Sequence, residues 1–163
     1  MDFNFNSLIT DRTQSDFERW KYLRDKGFEN MTDSERSEWL SGELKGSYHS
    51  TDLNRVGEAL NYLRNRLAET GYITYPIDFI ARTNWTITSI PTAEDLTYYL
   101  KCVSNIRGAM AQFETTPPAP TDTGALNIDE ANNIEKILID VETLINNMLS
   151  ARLYTADVYT GEL

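Results

Sequence analysis

The segment STDLNRVGEALNYLRNRLAETG, Ser50 to Gly71, sets leucines at regular intervals under a coat of Asn, Arg and Glu. Leu53, Val56, Leu60, Leu63 and Leu67 are spaced 3, 4, 3 and 4 apart, and side chains three and four apart share one face of a helix. Ser50 or Thr51 can cap the start and Gly71 can close the end in the left-handed conformation, so a helix is expected over about 51–70. Its remaining face, Asn54, Arg55, Glu58, Asn61 and Asn65, reads as the solvent side unless a partner covers it, with Arg55 and Glu58 forming an i,i+3 pair.

The same grammar recurs on both sides. Thr92 and Asp95 imitate a capping box, and Leu96, Tyr99, Val103, Ile106, Met110 and Phe113 repeat 3, 4, 3, 4 and 3, which predicts a helix over about 92–113. Asn127 and Glu130 have capping-box spacing before Ile134, Ile137, Leu138, Val141, Leu144, Ile145, Met148 and Leu149. This third stripe is the widest, so its helix should be the most central, packed from two sides. Two shorter helices precede these: one from Thr13 to Gly27 with Phe17, Trp20 and Leu23 as its apolar edge, and one from the Thr32/Glu35 box to Gly42 with Trp39 and Leu40 as its buried end. Trp20, Trp39 and Trp85 are read as anchors at the junctions between elements.

The expected fold is all-α: one domain over 1–163, a bundle of about five helices, three long and two short. Residues 72–91 are rich in Thr, Ile, Tyr and Trp and read as an extended or short β crossing. Residues 114–126 carry Pro117, Pro118 and Pro120 and read as a linker that lets helices four and five lie parallel or antiparallel. The end of the chain, Tyr154, Val158 and Tyr159 among Thr, Asp and Gly, reads as a C-terminal arm over 154–163, either docking on a neighbour or loose.

Composition narrows the function classes. The chain has 163 residues, enough for a core without metal or disulfide, and its six Phe, three Trp and nine Tyr exclude a disordered chain. Fifteen basic against 25 acidic side chains, net −10, disfavour nucleic acid as partner, because such affinity comes from neutralised phosphates. The imbalance concentrates in residues 83–163, which carry −7 against −3 for residues 1–82. No run of apolar residues is long enough for a membrane span and the start lacks a signal-peptide pattern, so no membrane insertion is expected and synthesis is placed in a cytoplasm. On that ground the glycosylation patterns at 30–32 and 84–86 are set aside.

Chemistry is harder to find. His49 is the only histidine and Cys102 the only cysteine. The first reads as a loop residue before a helix, the second as a small buried apolar group. The carboxylate pairs Asp129/Glu130 and Asp140/Glu142 are neighbours on different sides of a helix, and no glycine-rich phosphate loop is present. No catalytic residue, metal ligand or cofactor site is assigned, and the chain is expected to be non-enzymatic.

Five blocks carry a resemblance: LITDRTQSD (8–16), KGFENMTDSERSEWL (26–40), KGSYHSTDLNRVGEALNYL (45–63), NWTITSIPTAEDLTYYLKCVSNIRGAM (84–110) and NIDEANNIEKILIDVETLINNM (127–148). In order and spacing they resemble an uncharacterised domain family encoded by bacteriophages and prophages of gut Firmicutes, found among tail, baseplate and fibre proteins and sometimes joined to adhesive modules. The resemblance implies a structural or interaction module of a virion, made in the bacterial cytoplasm, with other virion subunits or a second copy as partners. No adhesive module is visible before Leu163, so a standalone protein and a piece of a longer tail protein are both open. Two other readings stand beside this one: a soluble acidic binding or regulatory protein, and a small carboxylate-dependent enzyme.

Overall fold

A computed structural model describes residues 2–71, 77–121 and 126–160, the last stretch by its backbone alone beyond residue 152. Five α-helices follow in chain order: α1 Gln14–Lys26, α2 Asp33–Leu40, α3 Ser50–Thr70, α4 Ala93–Gly108 and α5 Ile128–Thr160. The fold is all-α, with no strand among the described residues, and α3, α4 and α5 pack together.

The caps explain where the helices begin. Thr13, Thr32 and Thr92 each accept from the backbone N–H three residues on, while Asp16, Glu35 and Asp95 reach back to the cap, two reciprocal bonds at each start. Asn127 and Glu130 do the same for α5, at 2.9 Å in both directions. The start of α3 differs from expectation: its cap is His49, whose backbone N–H donates to the Asp52 carboxylate at 2.8 Å. Gly27 and Gly71, with φ of 76° and 68°, end α1 and α3.

The predicted seams form the core. Leu53, Val56, Leu60, Leu63 and Leu67 of α3 meet Tyr99, Val103 and Ile106 of α4 and Ile134, Ile137, Leu138, Val141 and Ile145 of α5, all buried. Helix α5 contacts both of the others, as its wide stripe predicts. Arg55 meets Glu135, and further along Arg66 meets Glu142 and Asn146, so α3 and α5 run parallel. Parallel neighbours need long connections, and the chain supplies them on both sides of α4. A smaller cluster, Leu23, Met31 and Leu44 with Trp20 and Trp39 against it, holds α1 and α2.

Two further expectations need correction. Helix α4 ends at Gly108 rather than near 113. Met110 still packs against the core from beyond the helix, and the Gln112 amide donates to the carbonyls of Arg107 and Met110 at 2.5 and 2.8 Å, which closes the helix end. Leu40 is 66% exposed, so α2 packs at this end through Trp39 alone, itself partly buried. The Pro-rich segment lies on the bundle over its described part: Thr116 is buried and its hydroxyl donates to Asp140 at 2.8 Å, while Arg107 donates to the Pro117 carbonyl at 2.7 Å. Residues 122–125 of that segment, and 72–76 of the crossing, lie outside the described residues.

Candidate functional site

The polar coat of α3 is mostly covered. Asn54 exchanges two hydrogen bonds with the backbone of Trp85, at 2.7 and 2.9 Å, and Asn61 exchanges two with Ala81, at 2.9 and 2.8 Å. Arg64 adds a bond to the Phe79 carbonyl. These positions lie on one face because 54, 61 and 64 fall near whole turns of the helix. Gly57 sits between the two asparagines, and a Cβ there would stand 2.4 Å from the Arg82 carbonyl oxygen, so only glycine admits the chain this close. The extended crossing thus finds side-chain amides where a strand would find a neighbouring strand. Among the predicted solvent-face residues, Glu58 and Asn65 are exposed.

The crossing presents Ile80, Ile87 and Ile90 outward, at 73, 91 and 87% exposure. Trp85, by contrast, is buried, with the Arg82 guanidinium 3.7 Å from its ring centroid.

Residues 9–12 are held in the same manner on α5. The Asn132 amide exchanges two bonds of 3.0 Å with the backbone of Arg12, and the Ile9 N–H donates to Glu135 at 2.6 Å. This docking delivers Arg12 into the interior. One of its terminal nitrogens donates to Asp52 at 2.9 Å and Glu135 at 2.6 Å, and the other to the Ile9 carbonyl at 2.7 Å. Arg55 donates to both Glu135 oxygens, at 3.1 and 2.9 Å, and to Asp52. It does not pair with Glu58, as the spacing had predicted. Two guanidiniums and two carboxylates therefore balance, and every carboxylate oxygen of the cluster accepts a hydrogen bond. Tyr48 flanks the cluster, with the Arg12 guanidinium 5.4 Å from its ring centroid and its hydroxyl 2.5 Å from that of Tyr99. Burial pushes both phenols well above their ordinary range, so they remain neutral donors and acceptors.

Sequence reasoning missed this cluster. Its signal was Glu135, a charge lodged in the apolar stripe of α5 beside Ile134. A carboxylate at a core position requires a buried cationic partner.

Beside the cluster opens a cleft of about 950 Å³. Helix α1 contributes Thr13, Gln14, Phe17 and Trp20, and the following wall is Lys45, Gly46, Ser47 and Tyr48. The start of α5 contributes Asn127, Ile128, Asp129 and Ala131, with Leu126 before it, and Arg12 lines it too. Lys45 is bound to Asp11 at 2.8 Å, which holds the Asp11 carboxyl below its ordinary range.

The residues weighed for chemistry are scattered. The His49 ring nitrogen lies 2.6 Å from the Ser47 hydroxyl, at the start of α3. Cys102 is buried, and burial pushes its thiol up to about 11, which suits a core residue. Asp129 stands at the cleft while Glu130 caps its own helix, and Asp140 and Glu142 engage different partners, Thr116 with Lys136 and Arg66 with Asn146. Among the described residues no group of three or more His, Cys, Asp and Glu side chains can hold a metal ion, and no helix is long and apolar enough to cross a membrane. The backbone of α5 continues to Thr160, so Tyr154, Val158 and Tyr159 lie along its last turns rather than past its end. Their side chains, and residues 161–163, fall outside the described residues. No protein-family model, curated protein or solved structure matches the chain.

Proposed function

We propose that the chain is a non-enzymatic structural or interaction module of a phage or prophage virion, associated with the tail or baseplate. The observation that carries the interaction part of this reading is the crossing. Ile80, Ile87 and Ile90 are largely exposed: Ile80 lies within the segment that Asn54, Asn61, Gly57 and Arg64 hold against α3, and Ile87 and Ile90 lie just beyond it, Ile87 in a turn that the Ser89 N–H closes on the Thr86 carbonyl. Large apolar side chains held out on an anchored backbone lose little entropy when a partner covers them. The buried ionic groups are paired with and hydrogen-bonded to one another, which gives them a structural role in tying residues 9–12 and α3 to α5. The virion assignment rests on the resemblance of the five sequence blocks.

The test is mass spectrometry of purified particles after induction of the source strain, combined with an Ile87→Lys/Ile90→Lys variant. The proposal expects peptides of this chain at a fixed ratio to tail subunits, and loss of the variant from particles although it folds. Absence of the unaltered chain from intact particles, with abundance in the lysate, would overturn the virion role and favour a soluble acidic regulator.

A further inference from the structure

Residues 13–46, which hold α1 and α2, pack as a body apart from the three long helices. Leu23, Met31 and Leu44 form their core with Trp20 and Trp39 against it, and no apolar side chain of 13–46 belongs to the main core or packs on it. The loop that closes this body is seated on α1, so closely that a Cβ at Gly46 would stand 2.0 Å from the Asp16 carbonyl oxygen. Arg12 and Tyr48 belong instead to the bundle, Arg12 through Asp52 and Glu135 and Tyr48 through its packing on the main core.

The chain therefore passes between the two bodies twice, at 12–13 and at 46–48. The passes are neighbours: the Lys45 ammonium is 2.8 Å from the Asp11 carboxylate, and the Arg12 guanidinium is 5.4 Å from the Tyr48 ring centroid. Away from the passes, attachment is slight. Among the described residues, the side-chain hydrogen bonds and ion pairs across the boundary are the exposed Lys45–Asp11 pair and the Thr51 hydroxyl on the Gly42 carbonyl, at a long 3.4 Å. A body joined at two adjacent passes has one easy motion, rotation about the line through them.

The cleft of about 950 Å³ leaves room for that rotation, since α1 forms one wall and the start of α5 another. Phe17 and Trp20 stand on the first wall and Leu126 and Ile128 on the second, all half-buried. Lys45 and Asp129, one from each body, are opposite in sign. Narrowing the cleft removes apolar surface from water on both walls and brings these opposite charges closer.

We infer that α1 and α2 form a hinged flap, which turns as one body on residues 12–13 and 46–48 and closes over the start of α5. The inference goes beyond the virion reading and does not depend on it.

The experiment is the measurement of backbone amide residual dipolar couplings in the ¹⁵N-labelled full chain, held in a dilute aligning medium. The expected result is that the couplings of α1 and α2 fit one alignment tensor and those of α3, α4 and α5 another of larger magnitude, because motion of the flap averages its own alignment. One tensor for all five helices, or two of equal magnitude, would show a flap fixed to the bundle and overturn the inference. Couplings of α1 and α2 that share no tensor would overturn it as well, since the two helices would then not move as one body.

Discussion

Glu135 shows how one residue can carry a large share of the architecture. It is fully buried, accepts from Ile9, Arg12 and Arg55, and so ties the N-terminal segment and α3 to α5. Glu135→Gln keeps the shape but strips the charge that two interior guanidiniums need. A loss of about 3–5 kcal/mol in unfolding free energy is expected by chemical denaturation, the range for breaking a buried ion pair from one side. The exposed Arg24–Asp25 pair provides the contrast: Asp25→Asn should change stability by less than about 1 kcal/mol in the same assay. Asn54→Ala should cost about 1–3 kcal/mol, because it strands the N–H and carbonyl of Trp85. None of these roles showed in the spacing of apolar residues. Periodicity marks which face avoids water, but a polar side chain that bonds a backbone and one that bonds water look alike in a sequence. Glu135 was the exception, a charge out of place in its stripe.

At the scale of elements, the seams and most caps were legible because their physics is local. Thr13, Thr32 and Thr92 cap as their spacing required, and the leucine seam of α3 is buried throughout. The overrun of α4 has a physical cause. Met110 keeps its packing after the backbone leaves the helix at Gly108, so apolar spacing reported burial there and not helical conformation. The crossing was ambiguous because β-branched and aromatic residues suit any half-buried extended chain, with or without a partner strand. Its partner is the face of α3, and Gly57→Ala tests the fit. The added methyl must push the Arg82 carbonyl away, so a loss of about 1–3 kcal/mol is expected, in a helix where alanine would otherwise be the better residue. The start of α2 gives a pH prediction. Lys26 first, and then the Thr32 backbone, hold the Glu35 carboxyl at about 2, below its ordinary 4.5. A depressed carboxyl stabilises fully above the unfolded value and loses that contribution as pH falls from about 4.5 toward 2. Glu35→Gln should therefore flatten part of the acid limb of a stability-versus-pH curve measured by circular dichroism.

Across the whole molecule, stability should be uneven. The core of α3, α4 and α5 is large and continuous, whereas α1 and α2 share a cluster of three buried residues and two partly buried tryptophans. Native-state hydrogen exchange in low denaturant should show α1 and α2 opening at lower free energy than the three long helices. A single protection level throughout would contradict that division. The larger theme is that two extended segments, 79–85 and 9–12, are fastened by helix side chains, Asn54 and Asn61 on α3 and Asn132 and Glu135 on α5. The proposed partner surface is Ile80 on the fastened segment with Ile87 and Ile90 just beyond it. Among the described residues no strand holds these crossings; on this account helix side chains do. The measurement that bears on it most directly is amide exchange at Ala81 and Trp85, whose N–H groups donate to Asn61 and Asn54. The account predicts exchange as slow as in the body of α3, falling to loop rates at Ala81 in Asn61→Ala. Exchange at loop rates in the unaltered protein would contradict it.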